Sequence, residues 1–245
     1  MLDAIHYLPI LTTLIAAVFG VHLFQRYRER PTAAHYLWWA IGVAVYGLGT
    51  LTEALTTLVG WHPLLFRAWY ITGALLGGAP LAQGSVYLHL PRRVADRLTV
   101  ALVLVVTVAA TCVLLSPLDL ARVEAHRLSG AVLTWHWVRY FSPFINLYAV
   151  IFLIGGAILS ALRYRRQRET RRRFIGNVLI AIGATLPGIG GGATRFGHVE
   201  VLYVTELIGL VLIWAGYRLN VTPRPGSLPA HAFPGPEFER SGQAP

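Results

Sequence analysis

Two glutamates and two arginines stand at positions in this chain where a charged side chain is costly. Glu53 and Glu206 each lie within a long apolar stretch, and Arg67 and Arg139 stand where two further apolar stretches begin. Ionisable groups in a hydrocarbon environment mark either a functional site or a structural pair. Such groups could converge on a ligand or form a proton path. The alternative is a set of Glu–Arg pairs that fix how the helices pack.

Uncharged polar residues stand at similar positions in the same stretches. A phenol, an amide and a carboxyl at one depth can orient a ligand by hydrogen bonds, and no nucleophile–base motif accompanies them. We therefore expect a binding site without catalysis, and a protein that is not an enzyme. Its expected ligand-binding residues are Glu53, Arg67, Tyr70, Arg139, Asn146, Tyr203 and Glu206.

The nine histidines and the single cysteine, Cys112, do not form a recognisable metal-binding pattern. A haem held between His22 and His89 would require the faces of two helices to meet. Catalytic zinc would require clustered histidines with a carboxylate nearby. We assign no metal to the chain, and the sequence leaves its cofactor unknown.

The elements that must position these residues are apolar helices. Apolar residues make up 55% of the 245 residues and charged residues only 13%, whereas soluble domains carry about a quarter charged residues. A membrane-spanning helix needs about 20 mostly apolar residues. The stretches that meet this length are Ile5 to Phe24, Ala33 to Leu55, Pro63 to Leu90, Leu98 to Leu115, Tyr140 to Leu162, Phe174 to Ala193 and Val199 to Tyr217.

This pattern predicts an all-α integral membrane bundle of seven transmembrane helices over residues 1–219. The following residues, 220–245, are rich in Pro, Gly, Ser and Ala and are typical of a disordered tail. Two places are expected to be irregular. The third helix should bend around Leu76 to Pro80, and the connection from Ser116 to Arg139 could form a short interfacial helix or a lid over the bundle.

Arginine distribution predicts the orientation of the bundle. The connections after the first, third, fifth and seventh stretches hold most of the arginines, in clusters such as Arg163 to Arg173. The connections on the opposite side hold few. Because arginine accumulates on the cytoplasmic side, we expect a plasma-membrane protein with its N-terminus outside and its C-terminus in the cytoplasm.

The formal net charge of +10 would suggest a nucleic-acid ligand in a soluble protein. Here the arginine clusters lie between apolar spans, where anionic lipid headgroups attract them. We therefore expect the lipid bilayer as partner and no nucleic acid. A membrane or cytoplasmic protein that binds the Arg163 to Arg173 segment is a further candidate partner.

Three groups of proteins share features with the chain. The seven-helix topology with an outside N-terminus resembles microbial rhodopsins, but their retinal-binding lysine is missing because the chain contains no lysine. The stretch Tyr46 to Leu90 is similar to the seven-helix sensory regions of some bacterial histidine kinases. It has a Glu near the end of the second helix, then Phe66-Arg67-Ala68-Trp69-Tyr70 opening a Gly/Pro-bent helix. Uncharacterised bacterial membrane proteins with a related third helix, ending in an arginine pair like Arg92-Arg93, are similar too.

The resemblance to sensory regions implies a sensory role. Together with the polar groups it leads to the main hypothesis, a receptor-like protein that binds a small lipophilic ligand in an outward-facing intramembrane pocket. One alternative is a small proton-coupled transporter in which Glu53 or Glu206 takes up the proton. Another is a non-catalytic subunit of a larger membrane complex.

Overall fold

A computed structural model describes residues 4–124, 127–165 and 170–221, and these form an all-helical membrane protein. Among the described residues, six helices are long and apolar enough to cross a membrane: Ala4–Glu29, Ala34–Val59, Arg92–Leu115, His136–Tyr164, Arg171–Thr194 and Val199–Val221. The predicted all-α membrane bundle is thereby confirmed. Most of the predicted tail lies outside the described residues.

The helices are labelled in chain order. They are α1 (Leu8–Glu29), α2 (Ala34–Val59), α3 (Pro63–Trp69), α4 (Ala79–His89), α5 (Arg92–Leu115), α6 (Phe141–Ala149), α7 (Gly155–Tyr164), α8 (Arg171–Thr194) and α9 (Val199–Val221). The 3₁₀ turn Ala4–Tyr7 precedes α1, and the π-helical turn Val150–Ile154 joins α6 to α7. The last helix continues to Val221, beyond the predicted end at Tyr217.

The predicted third helix, Pro63 to Leu90, is not continuous. After α3 the chain forms a π-helical segment, Tyr70–Leu76, and then turns at Gly77 before α4 begins. Gly77 has a φ of +39°, in a region of backbone space that side chains with a Cβ rarely adopt. Pro80 lies in the first turn of α4, where its missing N–H costs nothing. The interruption therefore falls at the glycines, within the stretch where the bend is predicted.

The two ends of the bundle differ in charge. The end at which α1 finishes carries Arg26, Arg92, Arg163 and Arg218, and we call it the Arg-rich end. The end at which α1, α3, α6 and α9 begin is called the Arg-poor end. Part of the Arg163 to Arg173 cluster, residues 166–169, lies outside the described residues.

Helices α8 and α9 pack closely along a glycine seam. Gly176, Gly183 and Gly190 follow one another at seven-residue intervals on α8. A Cβ at Gly183 would lie 2.6 Å from the carbonyl oxygen of Gly209 on α9. Small residues at such spacing let two helices approach closely in a membrane. The seam holds α9, and with it Glu206, against α8.

The connection after α5 is packed rather than extended. It contains the 3₁₀ turns Leu120–Arg122, Gly130–Val132 and His136–Tyr140. Val132, Leu133 and Val138 are buried against Phe66 and Val113. The predicted short interfacial helix is thus replaced by 3₁₀ turns, which cover the ends of α3 and α5 at the Arg-poor end.

Candidate functional site

The site is built around two carboxyl groups from different helices. Glu53 lies near the end of α2, and Glu206 lies near the beginning of α9, so both are at the Arg-poor end. Their carboxyl groups are close enough to interact electrostatically. Glu53 is only 3% exposed. The structure therefore brings together the two intramembrane glutamates predicted from the sequence.

The carboxyl pair has fewer hydrogen-bond donors than it can accept. The indole Nε1 of Trp69 donates to Oε1 of Glu53 over 2.9 Å. The Oε2 atoms of Glu53 and Glu206 are buried, and neither receives an N–H or O–H from the described residues. Buried polar atoms are almost always satisfied in folded proteins, so this pair of unsatisfied oxygens requires an explanation.

Among the described residues, neither Glu53 nor Glu206 forms an ion pair with an arginine. Within the described ranges, the ion pairs are Arg26–Glu29, Arg122–Asp119 and Arg127–Glu124, each formed within one short segment. Two carboxylates at close range in a low dielectric repel each other strongly. The pair can therefore bind a proton or another cation. The Glu–Arg pairs considered as the alternative for Glu53 and Glu206 are not what these residues form.

Aromatic and hydroxyl groups surround the carboxyls. Tyr203, one turn before Glu206 on α9, is 3% exposed, and its ring meets the ring of His6 edge-on at 6.0 Å. The hydroxyl of Tyr46 on α2 donates to the backbone carbonyl of Glu206 over 2.9 Å. We call Glu53, Glu206, Tyr46, Trp69 and Tyr203 the carboxyl cluster. Its members come from α2, α3 and α9.

Two members of the carboxyl cluster were missed by the sequence analysis. Tyr46 precedes Glu53 by seven residues on the same helix, a spacing that places both on one face. That periodicity could have identified Tyr46. The role of Trp69 as donor to Glu53 depends on how α3 packs against α2, which the sequence does not show.

Arg67 lies apart from the carboxyl cluster and serves another helix. Its guanidinium donates to the backbone carbonyls of Val113 and Leu114, and to that of Ser116 over 2.9 Å. These carbonyls end α5, where no further helical N–H is available to them. Arg67 therefore caps the C-terminus of α5 and joins α3 to it.

Tyr70, Arg139 and Asn146 also lie outside the carboxyl cluster. Tyr70 is buried in the apolar contacts of the α3 and α5 ends, against Gly130, and Arg139 lies close to the same glycine. The amide of Asn146 donates to the carbonyls of Ala74 and Ser142, at 3.1 Å and 2.9 Å. Of the seven predicted site residues, Glu53, Tyr203 and Glu206 thus come together. The other four bind backbone carbonyls or pack against neighbouring segments.

A second buried polar group lies on the other side of the break in the third helix. Gln83 of α4 is completely buried, and its amide donates to Ala95 O at 3.1 Å and Thr99 Oγ1 at 2.8 Å. The Tyr148 hydroxyl donates to Gln83 Oε1. Tyr87 extends the group to exposed Asp96, at 2.7 Å. We call these residues the amide cluster: Gln83, Thr99, Tyr148, Tyr87 and Asp96.

The histidines considered for haem are occupied differently. His89 contacts Ser85 O at 2.8 Å through Nδ1 and Ser160 Oγ at 2.9 Å through Nε2. The ring of His22 meets that of Tyr217 edge-on at 5.9 Å. His89 therefore links α4 to α7 with both ring nitrogens, and neither is free to coordinate iron.

Comparison of the chain with protein-family models, with curated proteins and with solved structures gives no match. A function for the chain must therefore be argued from its own residues.

Proposed function

We propose that the chain spans the plasma membrane seven times, with its N-terminus outside and its C-terminus in the cytoplasm. The arginine distribution supports this orientation, because the Arg-rich end would then face the cytoplasm. The third crossing is made by α3, the π-helical segment and α4 together. Interrupted helices at membrane depth are tolerated where protein surrounds them, and the carbonyl of Ala74 in this interruption is bound by Ser142 and Asn146.

We further propose that the chain is a receptor-like protein that binds a small lipophilic ligand at the carboxyl cluster. The observation that carries the proposal is the pair of buried Oε2 atoms, on Glu53 and Glu206, for which the described residues supply no hydrogen-bond donor. A bundle gains no stability from two unpaired acids in its interior. Intramembrane acids retained at such a cost are typical of binding and transport sites.

The position of the cluster supports entry from the outer side. Glu53 and Glu206 lie near the Arg-poor ends of their helices. The expected route for a lipophilic ligand is therefore the outer leaflet or the outer solution. A signal would leave through a partner at the Arg-rich end.

Proton-coupled transport is the second candidate, and the same two carboxyls favour it. An acid pair without a counter-ion can take up and release a proton as its surroundings change. Transport predicts a substrate-dependent pH change in liposomes that contain the protein, and Glu206→Gln should abolish it. Liposomes in which no substrate drives such a change would remove this candidate.

Native mass spectrometry tests the receptor proposal. We expect the wild-type protein, purified in mild detergent, to retain a small molecule of defined mass other than bulk phospholipid. The double variant Glu53→Gln/Glu206→Gln should lose it, because it keeps the shape of both side chains and removes their charge. Glu29→Gln is the matched control, since Glu29 is exposed and forms an ion pair with Arg26, within α1.

Two outcomes would contradict the receptor proposal. A wild-type protein that is free of ligand after gentle extraction would favour transport. A stable second polypeptide in the complex would instead indicate a subunit whose function belongs to the assembly.

A further inference from the structure

We propose that the ligand is a lipophilic organic cation, such as a hydrophobic amine or quaternary ammonium compound, bound between Glu53 and Glu206. This inference rests on the proposed binding function and specifies its ligand class. It is drawn from the charges, the unsatisfied oxygens and the aromatic rings of the carboxyl cluster.

Charge is the first argument. The two carboxyls approach each other, and each has an Oε2 atom without a donor. A cation between them would contact both unsatisfied oxygens and remove the repulsion between the acids. A neutral ligand would leave that repulsion, and an anion would increase it.

The aromatic rings are the second argument. Trp69 contacts Glu53 directly, and Tyr203 lies within electrostatic range of both carboxyls. Indole and phenol rings attract cations through their faces, most strongly where water is excluded. Phe66 extends the aromatic surface from Trp69, with ring centroids 6.2 Å apart. An organic cation with apolar substituents matches this combination of acids and rings.

A metal ion matches the site less well. Among the described residues, no three His, Cys, Asp or Glu side chains are arranged so that they could hold a metal ion. Metal ions in proteins are held by several oxygen, nitrogen or sulfur ligands at fixed distances. A diffuse organic charge needs no such coordination shell and can be bound by carboxylates and aromatic faces together.

Binding should depend on pH, because protons and the ligand compete for the same oxygens. Lowering the pH favours the protonated pair and should weaken binding of the cation, while raising it should strengthen binding. The other titratable groups that face the pair or its nearest ring are Tyr46 from α2, Tyr203 and Glu200 from α9, and His6 from the turn before α1.

The test compares benzyltrimethylammonium with neopentylbenzene, which has the same shape and no charge. Binding to purified protein in detergent micelles is measured by saturation-transfer NMR, with empty micelles as the blank. We expect the cation to bind and the neutral compound not to bind. Glu53→Gln/Glu206→Gln should weaken binding at least about tenfold, as should lowering the pH from about 8 to about 5. Glu29→Gln should bind like the wild type.

Each failure points to a different conclusion. Equal binding of the two probes, or binding that the double variant leaves unchanged, overturns the cation proposal. If native mass spectrometry finds a retained ligand that benzyltrimethylammonium does not displace, the binding function stands and the ligand class is wrong. If neither experiment detects a ligand, both proposals fail. Size-exclusion chromatography of each variant distinguishes lost binding from lost folding.

Discussion

The carboxyl cluster and the amide cluster both contain buried polar side chains, but the hydrogen-bonding groups of these side chains are satisfied to different degrees. In the amide cluster, Gln83 uses both its amide nitrogen and its carbonyl oxygen, and its partners come from α5 and α6. In the carboxyl cluster, Glu53 and Glu206 face each other, and an Oε2 atom of each has no donor in the described chain. Burying polar groups costs desolvation free energy in both clusters. Only in the amide cluster do hydrogen bonds within the fold offset that cost.

This difference assigns different roles to the two clusters. A satisfied network fixes one packing arrangement, and here it connects α4, α5 and α6. An unsatisfied one destabilises the fold until a ligand supplies what is missing. We therefore expect mutations in the amide cluster to reduce stability, and mutations in the carboxyl cluster to reduce binding with little loss of stability.

The largest expected effect is a difference in stability between a variant of the amide cluster and a variant of the carboxyl cluster. Gln83→Leu removes a completely buried amide and leaves the Tyr148 hydroxyl without its acceptor. It should lower the free energy of unfolding by about 2–4 kcal/mol, the cost of leaving buried polar groups unpaired. Glu53→Gln/Glu206→Gln should change it by less than about 1 kcal/mol, or raise it, because two amides can donate to each other. Titration with sodium dodecyl sulfate in mixed micelles measures both values.

Gln25→Leu is the control for this comparison, because Gln25 is exposed on α1. Its stability should match that of the wild type. A double glutamate variant that loses as much stability as Gln83→Leu would show that the carboxyl pair is a structural element. The comparison between the clusters would then be wrong.

The second expected effect concerns the glycine seam beside the carboxyl cluster. A Cβ at Gly190 would lie 2.7 Å from the Cα of Leu202 and would also meet the hydroxyl of Thr205, next to Glu206. Gly190→Ala should therefore shift α9 and cost about 1–3 kcal/mol, as overpacking does. It should also weaken binding of benzyltrimethylammonium, because Glu206 moves with α9.

Gly191→Ala is the matched control for the seam. Nothing lies within 4 Å of a Cβ at Gly191, so the alanine should be tolerated and could add about 0.5–1 kcal/mol through its lower backbone entropy. Unfolding titrations of both variants check this. Equal stability of the two variants would mean that the seam does not hold α9 in place.

Hydropathy alone predicted most of the helices in the structure. Six long helices correspond to predicted spans, since a run of about 20 apolar residues has few alternatives to a membrane helix. The exception is the third span, where Gly77 and Gly78 interrupt the helix. Glycine next to proline indicates an irregularity, but the exact position depends on contacts from α6 that the sequence does not display.

The carboxyl cluster was also partly predictable from the positions of polar residues along the apolar stretches. Depth along a helix can be read from the sequence, and it placed Glu53, Tyr203 and Glu206 at one level. The direction in which each side chain points cannot be read from depth. Arg67 lies at a suitable depth and nevertheless caps α5, and Trp69 contacts Glu53 because of how α3 packs. Three-dimensional packing decides which of the polar groups at one level meet.

The smallest expected effect comes from removing one hydroxyl in each cluster. Tyr148→Phe leaves Gln83 Oε1 buried without a donor, so we expect a loss of about 1–3 kcal/mol. Tyr46→Phe removes a donor from the backbone carbonyl of Glu206, but that carbonyl lies within α9 and keeps its helical hydrogen bond. The loss should therefore be only about 0.5–1 kcal/mol. Unfolding titrations of both variants measure the two losses of stability. A larger loss for Tyr46→Phe than for Tyr148→Phe would show that the Tyr46 contact between α2 and α9 contributes more to stability than the Tyr148 hydrogen bond does. Because Tyr46→Phe leaves both carboxyls in place, binding of benzyltrimethylammonium should be nearly unchanged.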